Sequence, residues 1–519
     1  MKKFRQKFSC IFILLLMVGY LISPAHVSSV TRYFHGVEVK DPYAWLENME
    51  SLETKQWVQQ QNEETDRYFH DIDVREKIRE KLVKNSCIER MGIPVQKNGV
   101  TFYTYMGLDD DKMTLCFQDS SGMKRVLVDP AKEKGKNPAF EGFEVSDDGR
   151  QVAYCLSDCG SDVMIWKFLD VKTGERLTDE IHGIKFSSPQ WSQVGQGVYY
   201  IRYGEGIYYH RIGSDTDHLI YQSDAFMLDL HLILDDQYVL FSVRCADDLK
   251  NAIYAVNIED GTLVDLMPPH KATSRFVGEF EEKLLFITDD NAPLSRLVAW
   301  DIEGNCEELI SEKDSVLLDA CVTKDFIVCC YLKDCVSDLV VYNHTGSWVR
   351  NFPIAGRGTV VVPHKGLGLS GDVDNNFVFS AYTDFLTPCR LLKFDFELGT
   401  SEVVFSPAHQ LDENFVTEQV FVPSNDGTQI PMFLTYKKGI KRDGQNPTLM
   451  YGYGGFNLPI LPSYTPLIAT WLEMGGIYAS VNLRGGIEYG HAWHESGMLH
   501  NKQNVFDDFI SAGEWLIKQ

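Results

Sequence analysis

The chain has 519 residues, a formal net charge of -24 and a sequence pI near 5.0. With 44% hydrophobic and 24% charged residues, its composition is that of a folded protein of several domains and excludes a disordered or fibrous chain. The acidic balance repels phosphate backbones, and no Lys/Arg stripe offsets it, so we expect no nucleic-acid partner.

The first 29 residues have the pattern of an export signal. A basic start is followed by the apolar run 11–22, a break at Ser23-Pro24 and small residues at Ser28-Ser29. The alternative is an uncleaved anchor, because the uncharged stretch 8–31 approaches the length that spans a bilayer. We therefore predict an exported protein, with no stable membrane partner unless this leader is kept.

Residues 30–90 are predicted to form a helical segment. Residues 53–63 consist largely of helix formers, and Val74, Ile78 and Leu82 share one helical face. Nothing in this segment has a catalytic pattern.

Between 91 and 410 the hydrophobic period changes from 3.6 to 2, and short apolar runs alternate with turns. Seven turns recur 40 to 50 residues apart, and we take each as the opening of a repeat: Gly99, Gly149, Gly197, Gln237, Lys283, Phe326 and Asn376. A period of this size with several strands per unit is typical of radial blades. The sequence predicts a seven-bladed β-propeller, and the alternative is an irregular array of β-sandwiches.

No metal or organic cofactor is expected. The cysteines lack metal-ligand spacing and are interpreted as small buried hydrophobic residues. His491 and His494 lie close to Glu488, but their i, i+3 spacing beside glycines favours a polar loop over a zinc site.

The sequence pattern changes again in residues 411–519. A hairpin pattern, the buried-type run 448–451, an apolar strand at 477–481 and an amphipathic helix at 504–518 are typical of the start of an α/β sheet. The glycine-rich turn 451–457 would project two aromatic residues at the carboxyl end of a strand, where such sheets bind ligands.

Several long motifs are similar to those of the prolyl oligopeptidase family, the post-proline serine peptidases. They are Asp41 to Glu47, Gln61-Asn62, Ser424 to Met432, Tyr451 to Asn457, Asn482 to Gly490 and Asn501 to Phe509. The resemblance runs from about residue 33 to the last residue. It implies a seven-bladed propeller and an α/β-hydrolase domain, with the N-terminal helical segment packed on the hydrolase.

The resemblance also implies roles for three aromatic residues. Tyr453 matches the tyrosine whose hydroxyl helps to form the oxyanion hole, and Phe456 matches an aromatic residue of the proline pocket. Phe168 aligns with a second pocket aromatic, although a place in the core of a blade is an alternative. The implied ligands are short proline-containing peptides, and we expect a monomer.

The family's Ser/Asp/His triad has no match. In residues 411–519 no serine has glycine at both −2 and +2, the pattern of a nucleophile elbow. We therefore expect the chain to match the N-terminal two-thirds of the family's enzymes, with a truncated hydrolase domain that is unstable and inactive alone. The alternatives are an exported, non-catalytic propeller that binds peptides or a partner, and a decayed gene product.

Overall fold

The computed structural model describes residues 29–519, except 159–163, 186, 194–195, 245–249, 362–367, 372, 409–410 and 412–413, and the side chain of residue 228. The predicted leader 1–29 therefore lies, but for its last residue, outside the described residues. None of the helices in the described part is both long and apolar enough to cross a membrane.

The chain divides into two compact units, Met1–Glu80 and Lys81–Gln519. The first contains two antiparallel strands, β1 (Val30–Phe34) and β2 (Val37–Asp41), a short 3₁₀ helix (Ala44–Glu47) and helix α1 (Leu52–His70). Helix α2 (Arg75–Ser86) begins in this unit and ends in the next.

The two predicted helices are confirmed, but the helical segment does not begin at residue 30. Residues 30–41 form the β1–β2 hairpin around His35 and Gly36, and only its second strand alternates apolar and polar residues. Both turn residues have positive φ, 50° and 81°, and a left-handed pair of this kind suits a tight hairpin. The sequence interpretation missed this hairpin because each strand has only five residues and β1 carries no alternating pattern.

Residues 90–405 form seven successive antiparallel sheets. The first contains β3 (Arg90–Met91), β4 (Val95–Lys97), β5 (Val100–Met106), β6 (Thr114–Gln118) and β7 (Lys124–Val128); the second contains β8 (Pro138–Val145), β9 (Gln151–Asp158), β10 (Ile165–Asp170) and β11 (Arg176–Ile181). The third contains β12 (Gln190–Trp191), β13 (Gly197–Arg202), β14 (Gly206–Arg211) and β15 (Asp217–Gln222); the fourth contains β16 (Met227–Ile233), β17 (Tyr238–Arg244), β18 (Asn251–Asn257) and β19 (Leu263–Ala272).

The last three sheets have the same four-stranded order. The fifth contains β20 (Ser274–Phe280), β21 (Lys283–Thr288), β22 (Arg296–Trp300) and β23 (Cys306–Ile310). The sixth contains β24 (Val316–Val322), β25 (Phe326–Lys333), β26 (Val336–Asn343) and β27 (Trp348–Phe352); the seventh contains β28 (Ser370–Gly371), β29 (Phe377–Tyr382), β30 (Arg390–Asp395) and β31 (Thr400–Phe405).

The predicted repeat has the right period but the wrong starting point. Each of the seven predicted opening turns lies directly before, or at the start of, the strand that is second in the order of its sheet, as with β5, β9 and β13. The turn therefore joins two strands of one sheet and does not open the repeat. The first strands are easily missed in the sequence because some, such as β12 and β28, have only two residues.

The apolar cores of this region lie between neighbouring sheets. Phe102 and Leu115 of the first sheet pack with Val152 and Tyr154 of the second, and the sixth and seventh sheets share a similar core. β9 and β25 bury successive side chains along the middle of the strand, so their two sheets are covered on both faces.

The remaining residues form a second kind of sheet. It is built from β32 (Phe415–Pro423), β33 (Gln429–Lys437), β34 (Thr448–Gly452) and β35 (Ile477–Val481) in the order β32-β33-β35-β34. β34 and β35 are parallel, whereas the other pairs are antiparallel. Three helices follow its strands: α3 (Pro466–Glu473), α4 (His491–Glu495) and α5 (Gln503–Lys518).

Helix α5 was predicted within one residue, but its buried face differs from the prediction. Val505 is buried, whereas Phe506, Ile510 and Ile517, all assigned to the same apolar face, are exposed. The helix turns Asp508 toward the sheet instead, with an exposed fraction of 0%. Asp508 is stable there because it pairs with a buried arginine, described below.

Most of the described cysteines are buried. Cys329 and Cys330 are neighbours on β25 and enter two different cores, because successive side chains of a strand point to opposite faces. Burial raises the pKa of these two thiols and of Cys321. Cys87 and Cys306 are exposed.

Candidate active site

The glycine-rich turn lies at the carboxyl end of β34, as predicted. It begins where β34 ends at Gly452 and reverses the chain within five residues. Gly454 has φ +61°, and a Cβ placed there would lie 2.4 Å from a methyl carbon of Val505. Only glycine fits this position, because both the backbone conformation and the close approach of α5 exclude a side chain.

The two aromatic residues predicted to act at this turn lie together and face solvent. Tyr453 is 43% exposed and Phe456 80% exposed, and their ring centroids are 6.2 Å apart. Within the described part of the chain, the Tyr453 hydroxyl has no hydrogen-bond partner. The turn therefore offers a free phenol O–H beside an open apolar ring, which suits a ligand that has both a carbonyl and an apolar group.

Polar side chains from other elements hold the turn in place. The Lys502 Nζ donates to the carbonyl oxygen of Gly454 at 2.5 Å. The His494 Nδ1–H donates to the Gly485 carbonyl at 2.7 Å, and the backbone N–H of Asn457 donates to the same oxygen at 3.2 Å. The turn is thus fixed from both sides, by the loop after β35 and by the residue before α5.

A buried ion pair anchors that loop. Arg484 is 5% exposed, and its guanidinium donates to both carboxylate oxygens of Asp508, at 2.9 Å through Nε and at 2.6 Å through a terminal nitrogen. A third bond reaches Asp426 at 2.5 Å, and Ser424 Oγ donates to Asp508 at 2.6 Å. The backbone N–H of Thr428 and the Arg484 guanidinium lower the pKa of Asp426 to about 2.

A second buried carboxyl lies at the other end of the same loop. Glu488 is 1% exposed; its Oε1 accepts from the Ile460 N–H at 3.0 Å and from the Asn482 amide at 3.2 Å. Its Oε2 has no partner among the described residues. Burial raises the pKa of Glu488 to about 7. Gly486 is required here, since a Cβ would lie 2.0 Å from that oxygen.

Phe168 lies on β10 in the second sheet. Its side chain has an exposed fraction of 0%, and its ring centroid is 5.7 Å from that of Trp191 and 5.9 Å from that of His210. This is the core position that the sequence left open as an alternative. A ring enclosed in this way has no surface to offer a ligand.

The sequence interpretation missed the supporting residues Lys502, Arg484 and Glu488 as parts of the site. All three lie in motifs with adjacent glycines or polar residues, yet single charges in such loops are usually solvated. Arg484 and Glu488 become buried, and Lys502 half-buried, only when β34, the loop after β35 and α5 come together.

His491 and His494 have different partners. Their ring centroids are 6.2 Å apart, His491 lies 3.3 Å from Glu495, and His494 is used by the Gly485 carbonyl. Across the described residues, no three His, Cys, Asp or Glu side chains are arranged to hold a metal ion.

Comparison with known proteins identifies two matching regions. Residues 24–407 match the prolyl oligopeptidase N-terminal β-propeller domain, and residues 462–519 match the prolyl oligopeptidase family domain. The first region agrees with the seven sheets, and the second covers α3 through α5.

Two of the most similar relatives are bacterial. The prolyl endopeptidase of Elizabethkingia meningoseptica is 32% identical over 520 residues, which cover 95% of this chain and 72% of the relative. That of Elizabethkingia miricola is 33% identical over the same shares.

Solved structures of prolyl endopeptidases and oligopeptidases are also similar to this chain. One from a study of two prolyl endopeptidases has a TM-score of 0.88 at 31% identity and covers 96% of this chain and 76% of its own. Prolyl oligopeptidase B of Galerina marginata bound to a 35-residue substrate has a TM-score of 0.86 over 96% of this chain and 76% of its own, but at 23% identity it supports the fold alone. From these matches and the two sheet types, the chain belongs to the prolyl oligopeptidase family of peptidases.

Proposed function

We propose that this chain provides the propeller and part of the hydrolase domain of a serine peptidase that cleaves short peptides after proline. The observation that carries the proposal is the exposed pair Tyr453 and Phe456 at the carboxyl end of β34. The relatives named prolyl endopeptidases support the choice of substrate.

In the proposed reaction, Phe456 packs against the proline ring and the Tyr453 hydroxyl donates to the oxygen that becomes negatively charged when the carbonyl is attacked. Attack needs a serine nucleophile with its histidine base and acidic partner. Residues 411–519 contain no Gly-x-Ser-x-Gly elbow. We therefore propose that the 519-residue polypeptide alone binds proline peptides but does not hydrolyse them.

Hydrolysis of a chromogenic Gly-Pro substrate by the purified chain tests the proposal that this chain alone does not hydrolyse peptides. No turnover above buffer is expected. Turnover that falls by about 100-fold or more in Tyr453→Phe, the typical loss of an oxyanion donor, would reveal a nucleophile elsewhere in the chain and contradict it.

Binding of a non-hydrolysable acyl-Gly-Pro peptide tests the proposal that this chain binds proline peptides. We expect Phe456→Ala to weaken binding several-fold. Tyr68→Ala is the matched control, because Tyr68 is also a highly exposed aromatic residue but lies on α1. Equal affinity of the three proteins would argue for a different role of the turn, such as the non-catalytic partner binding that the sequence left open.

We further propose that the seven sheets are the blades of one closed propeller. The ring of Tyr105 in the first sheet lies 6.5 Å, centroid to centroid, from that of Phe405 in the last, and this contact supports closure. Residues 30–90, 91–410 and 411–519 would then be the N-terminal segment, the propeller and the hydrolase part. A cysteine pair at these two ring positions should crosslink under oxidation; failure to crosslink, with a pair across two adjacent blades as the control, would count against closure.

We also propose that residues 1–29 direct export and that the exported protein is a monomer. The basic start and apolar run support the first part. N-terminal sequencing of the protein recovered outside the cytoplasm should begin near residue 30, and sedimentation should give the mass of one chain. A retained Met1 in a membrane fraction would favour the anchor instead.

A further inference from the structure

A cavity of about 430 Å³ lies among the second, third and fourth sheets. Residues of β8, of the segment before β12 and of β16 form most of its wall, so it faces the first strands of these sheets. It is distinct from the turn at Tyr453, and none of the residues assigned above to the candidate active site lines it.

Three carboxyl groups line this cavity: Glu141, Glu144 and Asp229. Glu141 accepts a hydrogen bond from Ser157 at 2.5 Å, and Asp229 accepts from the backbone N–H of Ser242 at 3.1 Å. In the described part of the chain, none of the three forms a salt bridge. Their hydrogen-bond donors are neutral, so the negative charge of the group is not compensated.

The positive groups nearby do not change this balance. Burial lowers the pKa of His231, which lines the same cavity, so its imidazole is neutral at pH 7. Arg275 of β20 lines the neighbouring cavity and is paired with Asp319 at 2.8 Å. Lys97 of the first sheet acts on Glu144 but lies 2.6 Å from Asp147. The cavity therefore has a negative potential, which its concave shape concentrates.

Two further polar groups of the wall lack partners. Trp166 is 2% exposed, and its indole N–H makes no hydrogen bond among the described residues; the Oγ of Ser187 is likewise buried without a partner. A buried donor without an acceptor is costly, and native structures seldom leave one unless a ligand or water uses it. A peptide supplies the missing acceptors through its carbonyl oxygens.

We propose that this cavity is a subsite for a positively charged group of a bound peptide, an ammonium or guanidinium, with Glu141, Glu144 and Asp229 receiving the charge and Trp166 donating to a peptide carbonyl. The inference rests on the proposed function only in taking a peptide as the ligand. It gives the protein a preference for basic peptides that the turn at Tyr453 does not provide.

The test compares two N-acetylated peptides that each contain one proline and differ only in a lysine or the uncharged norleucine. Binding to the full chain is measured by calorimetry, so the result does not depend on hydrolysis. We expect the lysine peptide to bind about tenfold more tightly. A third peptide, with norleucine and a free amino terminus, distinguishes a side-chain ammonium from the terminal one.

The double variant Glu141→Gln, Asp229→Asn should abolish this preference and leave the affinity for the norleucine peptide unchanged. The matched control is Asp215→Asn, Glu303→Gln, which removes two exposed acids from other parts of the surface. Four results would each overturn the proposal. Two concern the unmodified chain, which would bind both peptides equally tightly or bind neither acetylated peptide. In the other two, the preference for lysine survives in the pocket variant, or it is lost equally in the control variant.

A second test measures how peptide affinity depends on pH. Burial raises the pKa of Glu144 to about 7, so part of the population is protonated at neutral pH. A cation bound beside this carboxyl favours its ionised form and releases the proton. The affinity for the lysine peptide should therefore rise from pH 6 to pH 8, and Glu144→Gln should remove that rise. A pH-independent affinity in the unmodified chain would exclude Glu144 from the subsite.

If Phe456→Ala leaves peptide affinity unchanged but the lysine preference disappears in the pocket variant, the subsite stands and the proposed binding role of the turn fails. If proline peptides bind through Phe456 with no effect of charge, the reverse holds. The two proposals therefore fail on different observations.

Discussion

The two β regions of this protein build their cores in different ways. In the seven sheets of residues 90–405 each core is shared by two neighbouring sheets, and almost all of its members are apolar. The sheet of β32–β35 is covered on one side by α5, where the contact includes the buried ions Arg484 and Asp508. The first region is held mainly by apolar packing, whereas the second also depends on exact charge pairing.

The strongest test of this difference is Arg484→Met. The change leaves Asp508 as an unpaired buried carboxylate, and we expect it to cost about 3–5 kcal/mol of unfolding free energy. Pulsed hydrogen exchange at fixed pH after equilibration in urea resolves the two regions. The loss should appear in residues 411–519 and not in the seven sheets.

Arg442→Met is the matched control. Arg442 pairs with Glu418 at the surface, at 2.5 Å, with 45% of its side chain exposed. An exposed pair is worth about 0–1 kcal/mol. Equal losses for the two arginine variants would mean that charge pairing does not distinguish the β32–β35 sheet.

The next largest effect on the free energy of unfolding is expected from a change of pH. Glu488 in the loop after β35 and Glu144 in the second propeller sheet both have a pKa raised by burial to about 7. Between the ordinary value of 4.5 and 7 the folded chain holds a proton that the unfolded chain releases, so each carboxyl's contribution to stability falls as the pH rises. Glu488→Gln should remove this fall.

At pH 8 we expect the Glu488→Gln variant to be more stable than the unmodified chain by about 1–3 kcal/mol, since each pKa unit corresponds to about 1.4 kcal/mol. At pH 4 the two should be nearly equal. Because Glu144 lines an open cavity, the same change there should give a smaller gain, confined to the propeller. A gain in both regions from either variant would show that they unfold as one unit.

Phe168→Leu probes the apolar packing of the propeller. The smaller side chain leaves a space between Trp191 and His210, and we expect a loss of about 1–2 kcal/mol in the second and third sheets. Peptide affinity should not change. A loss of proline-peptide binding without a change of stability would instead favour the pocket role that the resemblance implies for Phe168.

The smallest effect on stability is expected for Phe456→Ala. The ring is 80% exposed, so its removal should change the unfolding free energy by less than about 0.5 kcal/mol. Thermal unfolding measures this directly. A larger destabilisation would mean that the ring supports the turn, and the loss of binding in this variant would then be no argument for direct contact with the ligand.

Periodic patterns predicted the repeats and the long helices, because the spacing of apolar residues along one strand or helix is a local property of the sequence. The period of the repeat was visible, but its starting point was not, since two-residue strands such as β12 carry no pattern of their own. The position of Tyr453 could be predicted because an apolar strand and Gly452 precede it and Gly454 and Gly455 follow it.

The rest of the site depends on contacts between distant residues. Asp508 and Arg484 are 24 residues apart, and Ser424 is 84 residues from Asp508. On a helical projection Asp508 belongs to a polar face, and only the buried guanidinium reverses that assignment. Likewise, Glu141 and Asp229 meet in one cavity because three sheets converge, which no local pattern encodes.

The distribution of thiols has a practical consequence for all of these measurements. Cys87 and Cys306 are exposed and will react first with a maleimide, whereas Cys321, Cys329 and Cys330 are enclosed and almost entirely protonated. No cysteine occurs in residues 411–519. The rate at which Cys321, Cys329 and Cys330 become labelled therefore times the opening of the propeller, and the natural sequence already carries a probe that distinguishes the two regions.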